Sequence, residues 1–260
     1  MKQRDIFIVS QEGLDPRVNA AAVEAVSELM DCFPAYKADY PITDLGAWKD
    51  RDYKYTDENG RICLVPYMST KWHIEYAKIK SRQDGRPNQL NASELLNTMK
   101  TDPTNQQIPQ FTILLVKDDL YPNKDMNYCL GIGGEGVGCI ISAYRYSDRN
   151  GNLVDKENFK TVLMHEFGHV IGLTYTGRKN SVEVLGPHCT DKDGLCIMQQ
   201  RMDGDFRKIT RARIEAKKIG LPPICPDCVE AGNKFFARER QRNAKAIVQD
   251  TLRTFNTNHR

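Results

Sequence analysis

Five consecutive residues, His165-Glu166-Phe167-Gly168-His169, constrain this chain more than any other feature. Around them Phe159, Val162, Leu163, Phe167 and Val170 recur at the spacing of one apolar helix face, with Asp155 placed to cap the helix and Gly172 to end it. Histidines four apart leave a helix on the same side. Their imidazoles can therefore converge on one Zn²⁺, with the intervening glutamate beside them as a general base. The competing reading is two histidines satisfied on a helix surface. Against it, the chain has only five histidines, and His165, His169 and His188 fall in one short window.

The eight cysteines divide into two sets. Cys32, Cys63, Cys129 and Cys139 are scattered, mostly in or beside apolar segments, and read as small buried hydrophobes. Cys189, Cys196, Cys225 and Cys228 gather in the C-terminal third, the last two as Cys-Pro-Asp-Cys. A C-x-x-C turn lets two thiolates face one ion, and a second pair completes a tetrahedron of soft ligands for zinc. A thioredoxin-like redox role fits less well, because no βαβ pattern flanks the pair.

Charge narrows the partners. Over 260 residues, 37 Lys+Arg stand against 34 Asp+Glu, a formal charge of +3, which announces neither a nucleic-acid binder nor a polybasic membrane binder. The basic stretches near the C-terminus read first as solvated helix faces, with nucleic-acid binding the weaker alternative. With 40% apolar and 27% charged residues the chain is of ordinary globular type, long enough for a sizeable core. The start, MKQRDIFIVSQEG, holds no apolar stretch of signal-peptide length, and no run is long enough to span a bilayer. The expected location is the cytoplasm, where thiols stay reduced.

Along the chain the patterns predict a strand over Asp5–Ser10 and a helix opening near Pro16. Short extended pieces follow within 34–62, with a turn at Asp57-Glu58-Asn59-Gly60, and then a helix from Asn91 to Asp102-Pro103. A buried strand is expected at 111–117, with extended pieces at 126–130 and 136–146. The glycines of GIGGEG between them suit a hairpin or bulge at a sheet edge better than a phosphate loop, since no Gly-Lys-Ser/Thr follows. Two further helices are expected over 206–220 and 233–255.

Taken in order, His-Glu-x-x-His-x-x-Gly, then His188-Cys189, then Cys196-Ile197-Met198, then Cys225-x-x-Cys228, the motifs resemble those of the archaemetzincin family of zinc-dependent metallopeptidases, of the metzincin clan. The likeness extends upstream through ILLVKDDLYPNKDMNYCLGI and GVGCIISAYRY and covers roughly residues 110–230. It implies an α/β, metzincin-like fold. A twisted mixed sheet with helices would form an N-terminal subdomain (1–172), and a small irregular zinc-stapled subdomain (173–260) would carry the third histidine, the methionine turn and the terminal helices.

The resemblance also implies two Zn²⁺ per chain. His165, His169 and His188 would hold a catalytic ion and Cys189, Cys196, Cys225 and Cys228 a structural one. Glu166 would be the general base/acid for a zinc-bound water, and Met198 an apolar floor beneath the metal. The substrate would be a peptide or protein, held by an edge strand somewhere in 136–146. The family places its third histidine three residues after the glycine, where this chain has Tyr175; His188 lies sixteen after Gly172, an insertion of thirteen residues. Neutral imidazole ligates at pH 7 without the deprotonation a phenol of pKa about 10 requires, so His188 is the expected ligand. The displaced histidine keeps a second function open, a catalytically silent zinc-binding interaction protein on the same scaffold.

Overall fold

The computed structural model describes residues 5–47, 53–56, 62–65, 70–101, 110–183, 186–190, 196–200 and 206–257. The expected turn at 57–60 and the Asp102-Pro103 helix end lie outside them. In chain order the first elements are β1 (Asp5–Ser10), α1 (Pro16–Met30), α2 (Pro34–Lys37), β2 (Ile42–Ala47), β3 (Tyr53–Thr56), β4 (Ile62–Val65), α3 (Thr70–Gln83), β5 (Gln89–Asn91) and α4 (Ala92–Thr101). There follow β6 (Gln110–Val116), β7 (Asp119–Tyr121), β8 (Gly131–Gly134), β9 (Gly138–Ser142), α5 (Lys156–Val170), β10 (Ser181–Glu183), β11 (Pro187–Cys189), α6 (Arg207–Lys218) and α7 (Pro226–Thr257).

Five strands form one mixed sheet in the order β2-β1-β6-β9-β8, with every neighbouring pair parallel except β8 and β9. The run Ile113-Leu114-Leu115-Val116 is apolar throughout because both faces of β6 are covered. Ile113 and Leu115, with Cys139 and Ile141 of β9, join a core built from α1, α5 and α7. Leu114 and Val116, with Ile140, join a second core under α3 and α4. Each such side chain taken fully out of water contributes about 1.5–3 kcal/mol before the entropy of ordering it is subtracted. The result is a helix–sheet–helix sandwich, an α/β fold of the expected class.

Local chemistry sets the ends of the helices. Asp15 caps α1 by accepting the Arg17 N–H at 3.0 Å, with Pro16 in the first turn, where its missing N–H costs nothing. The same carboxylate accepts the Leu153 N–H at 2.8 Å, which ties α1 to the segment leading into α5. Asp155 caps α5, and Gly172, at φ +62°, turns the chain sharply away after its last residue.

Three expectations need revision. The piece at 126–130 is not a strand; Cys129 makes only an isolated bridge to Leu120. The sheet ends on β2 and β8, not on a strand within 136–146. Gly136, at φ +71°, makes the tight turn that folds 131–134 back antiparallel on β9, so β9 lies inside the sheet. The last helix begins at Pro226, seven residues before the charged stretch expected at 233, so the Cys225-Pro-Asp-Cys228 turn is its first turn. Phe235 and Phe236 of that helix pack on Phe111, Phe33 and Tyr40. Among the described residues, no helix is long and apolar enough to cross a membrane.

Candidate metal centres and cleft

His165 and His169 lie one turn apart on α5, and His188 reaches them from β11. One ring nitrogen from each lies within 4.8 Å of the others. The insertion between Gly172 and His188 forms a hairpin. β10 pairs with β11 through Ser181↔Cys189, Val182↔His188 and Glu183↔Pro187, and this register delivers the third imidazole. Tyr175, by contrast, is 42% exposed.

The outward nitrogens of the three rings fix their orientation. His165 Nδ1 donates to the Ile197 carbonyl at 2.7 Å, and His188 Nδ1 donates to the Gly186 carbonyl at 3.0 Å. A carbonyl can only accept, so both rings carry their proton on Nδ1 and present the Nε2 lone pair. His169 Nδ1 lies 3.1 Å from Thr174 Oγ1, which accepts in the same tautomer. The Nε2 atoms of His165 and His169 face each other at 3.3 Å. Two Zn–N bonds of about 2.0–2.1 Å at a tetrahedral angle place their nitrogens at nearly that separation.

Burial pushes the His165 imidazolium down to about 4, with the neighbouring His188 adding to the shift, and burial holds His169 well below its ordinary value. Both rings are therefore neutral at pH 7, the form that binds a metal. The donor set fits zinc.

Glu166 follows His165 on the helix and lines the same cleft. Burial pushes its carboxyl up to about 8, against a hydrogen bond from the Gly133 backbone; a cation alongside would act in the opposite direction. The cleft has a volume of about 590 Å³, with Met126, Tyr128, Leu130, Ile132, Pro187 and Phe206 among its lining residues. Edge strand β8 forms one wall. Its glycines are there for clearance: a Cβ on Gly133 would come 2.3 Å from the Glu166 carbonyl oxygen, and one on Gly131 2.8 Å from Glu166 Cγ. GIGGEG thus lets the strand lie directly against the histidine helix.

The four late cysteines also meet. Their sulfurs all lie within 4.8 Å of one another, with Cys189–Cys225 and Cys196–Cys228 each at 3.5 Å. Four thiolates at Zn–S distances of about 2.3 Å span edges near 3.8 Å, so this set fits zinc as well. Hydrogen bonding among the four thiols lowers Cys189 to about 7 and lowers Cys225 further, and it raises Cys196 and Cys228, with burial adding to the rise. Cys225 and Cys228 sit at the start of α7, where the helix dipole favours a thiolate. The two centres are bridged by backbone, for Cys189 N–H donates to the Met198 carbonyl at 2.8 Å. Met198 is fully buried.

Of the scattered cysteines, Cys139 is buried as expected and Cys32 and Cys129 are partly so; the Cys63 side chain lies outside the described set. Three contributors carried no recognisable motif. Thr174 orients His169, and Phe206 packs edge-on against His165 with ring centroids 5.3 Å apart. Arg178 donates to Cys228 Sγ at 3.1 Å. Each is an isolated residue whose role depends on chain returning from elsewhere.

No family profile matches the sequence, and no curated protein matches it. Solved structures do. The archaemetzincin of Methanopyrus kandleri is 17% identical, with 91% of this chain and 97% of that one covered and a TM-score of 0.54. The archaemetzincin of Archaeoglobus fulgidus, complexed with malonate, is 15% identical over 87% of this chain and 99% of that one, at a TM-score of 0.42. A zinc-dependent peptidase from Methanocorpusculum labreanum is 13% identical over the same shares, at 0.43. The fold is archaemetzincin-like.

Proposed function

We propose that this chain is a zinc-dependent metallopeptidase, with His165, His169 and His188 holding a catalytic zinc and Glu166 acting as general base and acid. The observation that carries the reading is the convergence of one ring nitrogen from each of three histidines beside a buried carboxyl in a cleft walled by a sheet edge. The likeness in fold to an archaemetzincin supports it.

When bound, the ion supplies acidification of a water towards neutral pH and polarisation of a carbonyl. The remaining steps belong to the chain. Glu166 takes the water's proton and passes it to the departing amine. Strand β8 offers its open edge to an extended peptide by strand addition, and apolar residues of the cleft receive a side chain. Met198 floors the site as an apolar support. Cys189, Cys196, Cys225 and Cys228 hold a second, structural zinc. In this reading residues 1–172 carry the wall and the helix of the cleft, and 173–260 close it from below.

The test is a peptide-library digest by the zinc-loaded protein beside Glu166→Gln. Cleavage by the wild type with its loss in a Glu166→Gln protein of equal zinc content supports the proposal. Two equally inactive, fully zinc-loaded proteins would favour the silent zinc-binding scaffold.

A further inference from the structure

The inserted segment does more than span from Gly172 to His188. Arg178, within it, is 8% exposed, and among the described residues no carboxylate pairs with it. Its Nη1 donates to the Leu173 carbonyl at 2.8 Å and to Cys228 Sγ at 3.1 Å, and its Nη2 donates to the Asn180 carbonyl at 3.4 Å. Nε is buried with no partner among the described residues. A guanidinium withdrawn from water needs a countercharge, and neutral carbonyls do not supply one. The nearest source is the sulfur cluster it touches.

Asn180 acts beside it. This residue adopts φ +60°, and its side-chain amide donates to Asp227 Oδ2 at 2.6 Å, inside the Cys225-Pro-Asp-Cys228 turn. Its carbonyl accepts the Thr190 N–H at 3.0 Å, one residue past Cys189. Two side chains of the insertion therefore grip the last cysteine pair, while the following hairpin carries His188 and Cys189.

We propose that Arg178 is a positioning residue of the thiolate centre: it offsets part of the negative charge of a four-sulfur zinc site and, with Asn180, fastens the inserted hairpin that carries His188 to that site. The inference rests on the two-zinc reading above. A zinc bound by four thiolates carries a net charge of −2. A donor fixed on one sulfur lowers that charge's cost, makes the sulfur a poorer target for protons and electrophiles, and slows loss of the metal. Lysine could supply the charge but not the forked grip on two carbonyls and a sulfur.

The experiment uses the full-length protein loaded with zinc, and in parallel with Co²⁺. Arg178→Met, Arg178→Lys and Asn180→Gly are compared with wild type; the last keeps the left-handed backbone and deletes the contact with Asp227. Zinc transfer to a chromophoric chelator is followed in time, and sulfur-to-cobalt charge-transfer bands report the hydrogen bond to Cys228 directly. Expected for Arg178→Met are shifted cobalt–thiolate bands and release of the sulfur-bound zinc about 10-fold faster, the lower end of the usual effect of an outer-shell partner. Arg178→Lys should fall between, and Asn180→Gly should speed release with bands unchanged. Should Arg178→Met fail to fold in excess zinc, the other two variants decide. Wild-type release rates and spectra in the variants that fold overturn the inference and leave the two-zinc reading standing. A wild-type protein with no sulfur-bound metal overturns both.

Discussion

Gly168 lies directly over Met198: a Cβ on the glycine would come 2.3 Å from the methionine sulfur and 3.2 Å from Leu173 Cδ1. Met198 thus meets helix α5 at the one residue between His165 and His169 that carries no side chain. Two effects oppose each other in Gly168→Ala. Helix propensity favours alanine by about 1 kcal/mol, whereas overpacking a filled core costs about 1–3 kcal/mol. Met198 is fully buried and has little room to retreat, so the steric cost wins. Gly168→Ala should lower the unfolding midpoint in urea, and in a Met198→Ala background the same change should be neutral or stabilising. An alanine that stabilises the wild-type background would show that the contact is looser than described.

Arg213 concerns stability alone. It is 1% exposed and joins Glu28 and Glu157, while its Nε donates to Thr161 Oγ1 at 3.0 Å, so it pins α6 to α1 and α5. Breaking a buried ion pair from one side costs about 3–5 kcal/mol. Lys217, at 2.7 Å, and Lys160, at 3.5 Å, remain beside Glu28, which places Arg213→Met towards the lower end. Burial works against ionisation of Glu28, but the hydrogen bond from Lys217 and the charge of Arg213 outweigh it and hold the carboxyl below its usual range. A carboxyl with a depressed folded-state value contributes stability above its unfolded value, and that contribution is lost as the pH falls through the folded one. The gap in unfolding free energy between wild type and Arg213→Met should therefore be widest near neutral pH and narrow on acidification. A gap independent of pH would contradict the role given to the network.

Thr174 has a testable part in the histidine site. Without its hydroxyl, His169 Nδ1 loses the partner that fixes its ring. Thr174→Val should weaken zinc binding at the nitrogen site about 10-fold or more, with Thr174→Ser close to wild type, as read by competition with a chelator of known affinity. Equal affinities in all three would remove Thr174 from the site.

How much of this was legible beforehand follows from the range of the interactions. Helix α5, its Asp155 cap and its Gly172 exit are local, written within one window by apolar spacing and capping chemistry. β6 was legible because a strand covered on both faces needs an unbroken apolar run. The edge strand was misplaced because Ile132 is the only apolar residue of Gly131–Gly134, and those glycines answer to a helix more than thirty residues away. Helix α3 carries no clear signal because its apolar residues are interspersed with lysines, and of its described apolar side chains only Ile74 and Ala77 are buried. Thr174 and Arg178 act on groups brought in by the hairpin, and single-residue composition records nothing of that return.

In the proposed hydrolytic zinc site the displaced His188, not Tyr175 nearer the helix, is the third ligand. Zinc content and peptide hydrolysis of His188→Ala and Tyr175→Phe, each beside wild type, test it most directly. His188→Ala should lose the nitrogen-bound equivalent and its hydrolysis while keeping the sulfur-bound one, and Tyr175→Phe should keep both metals. Two equivalents retained in His188→Ala, or one lost in Tyr175→Phe, would contradict it.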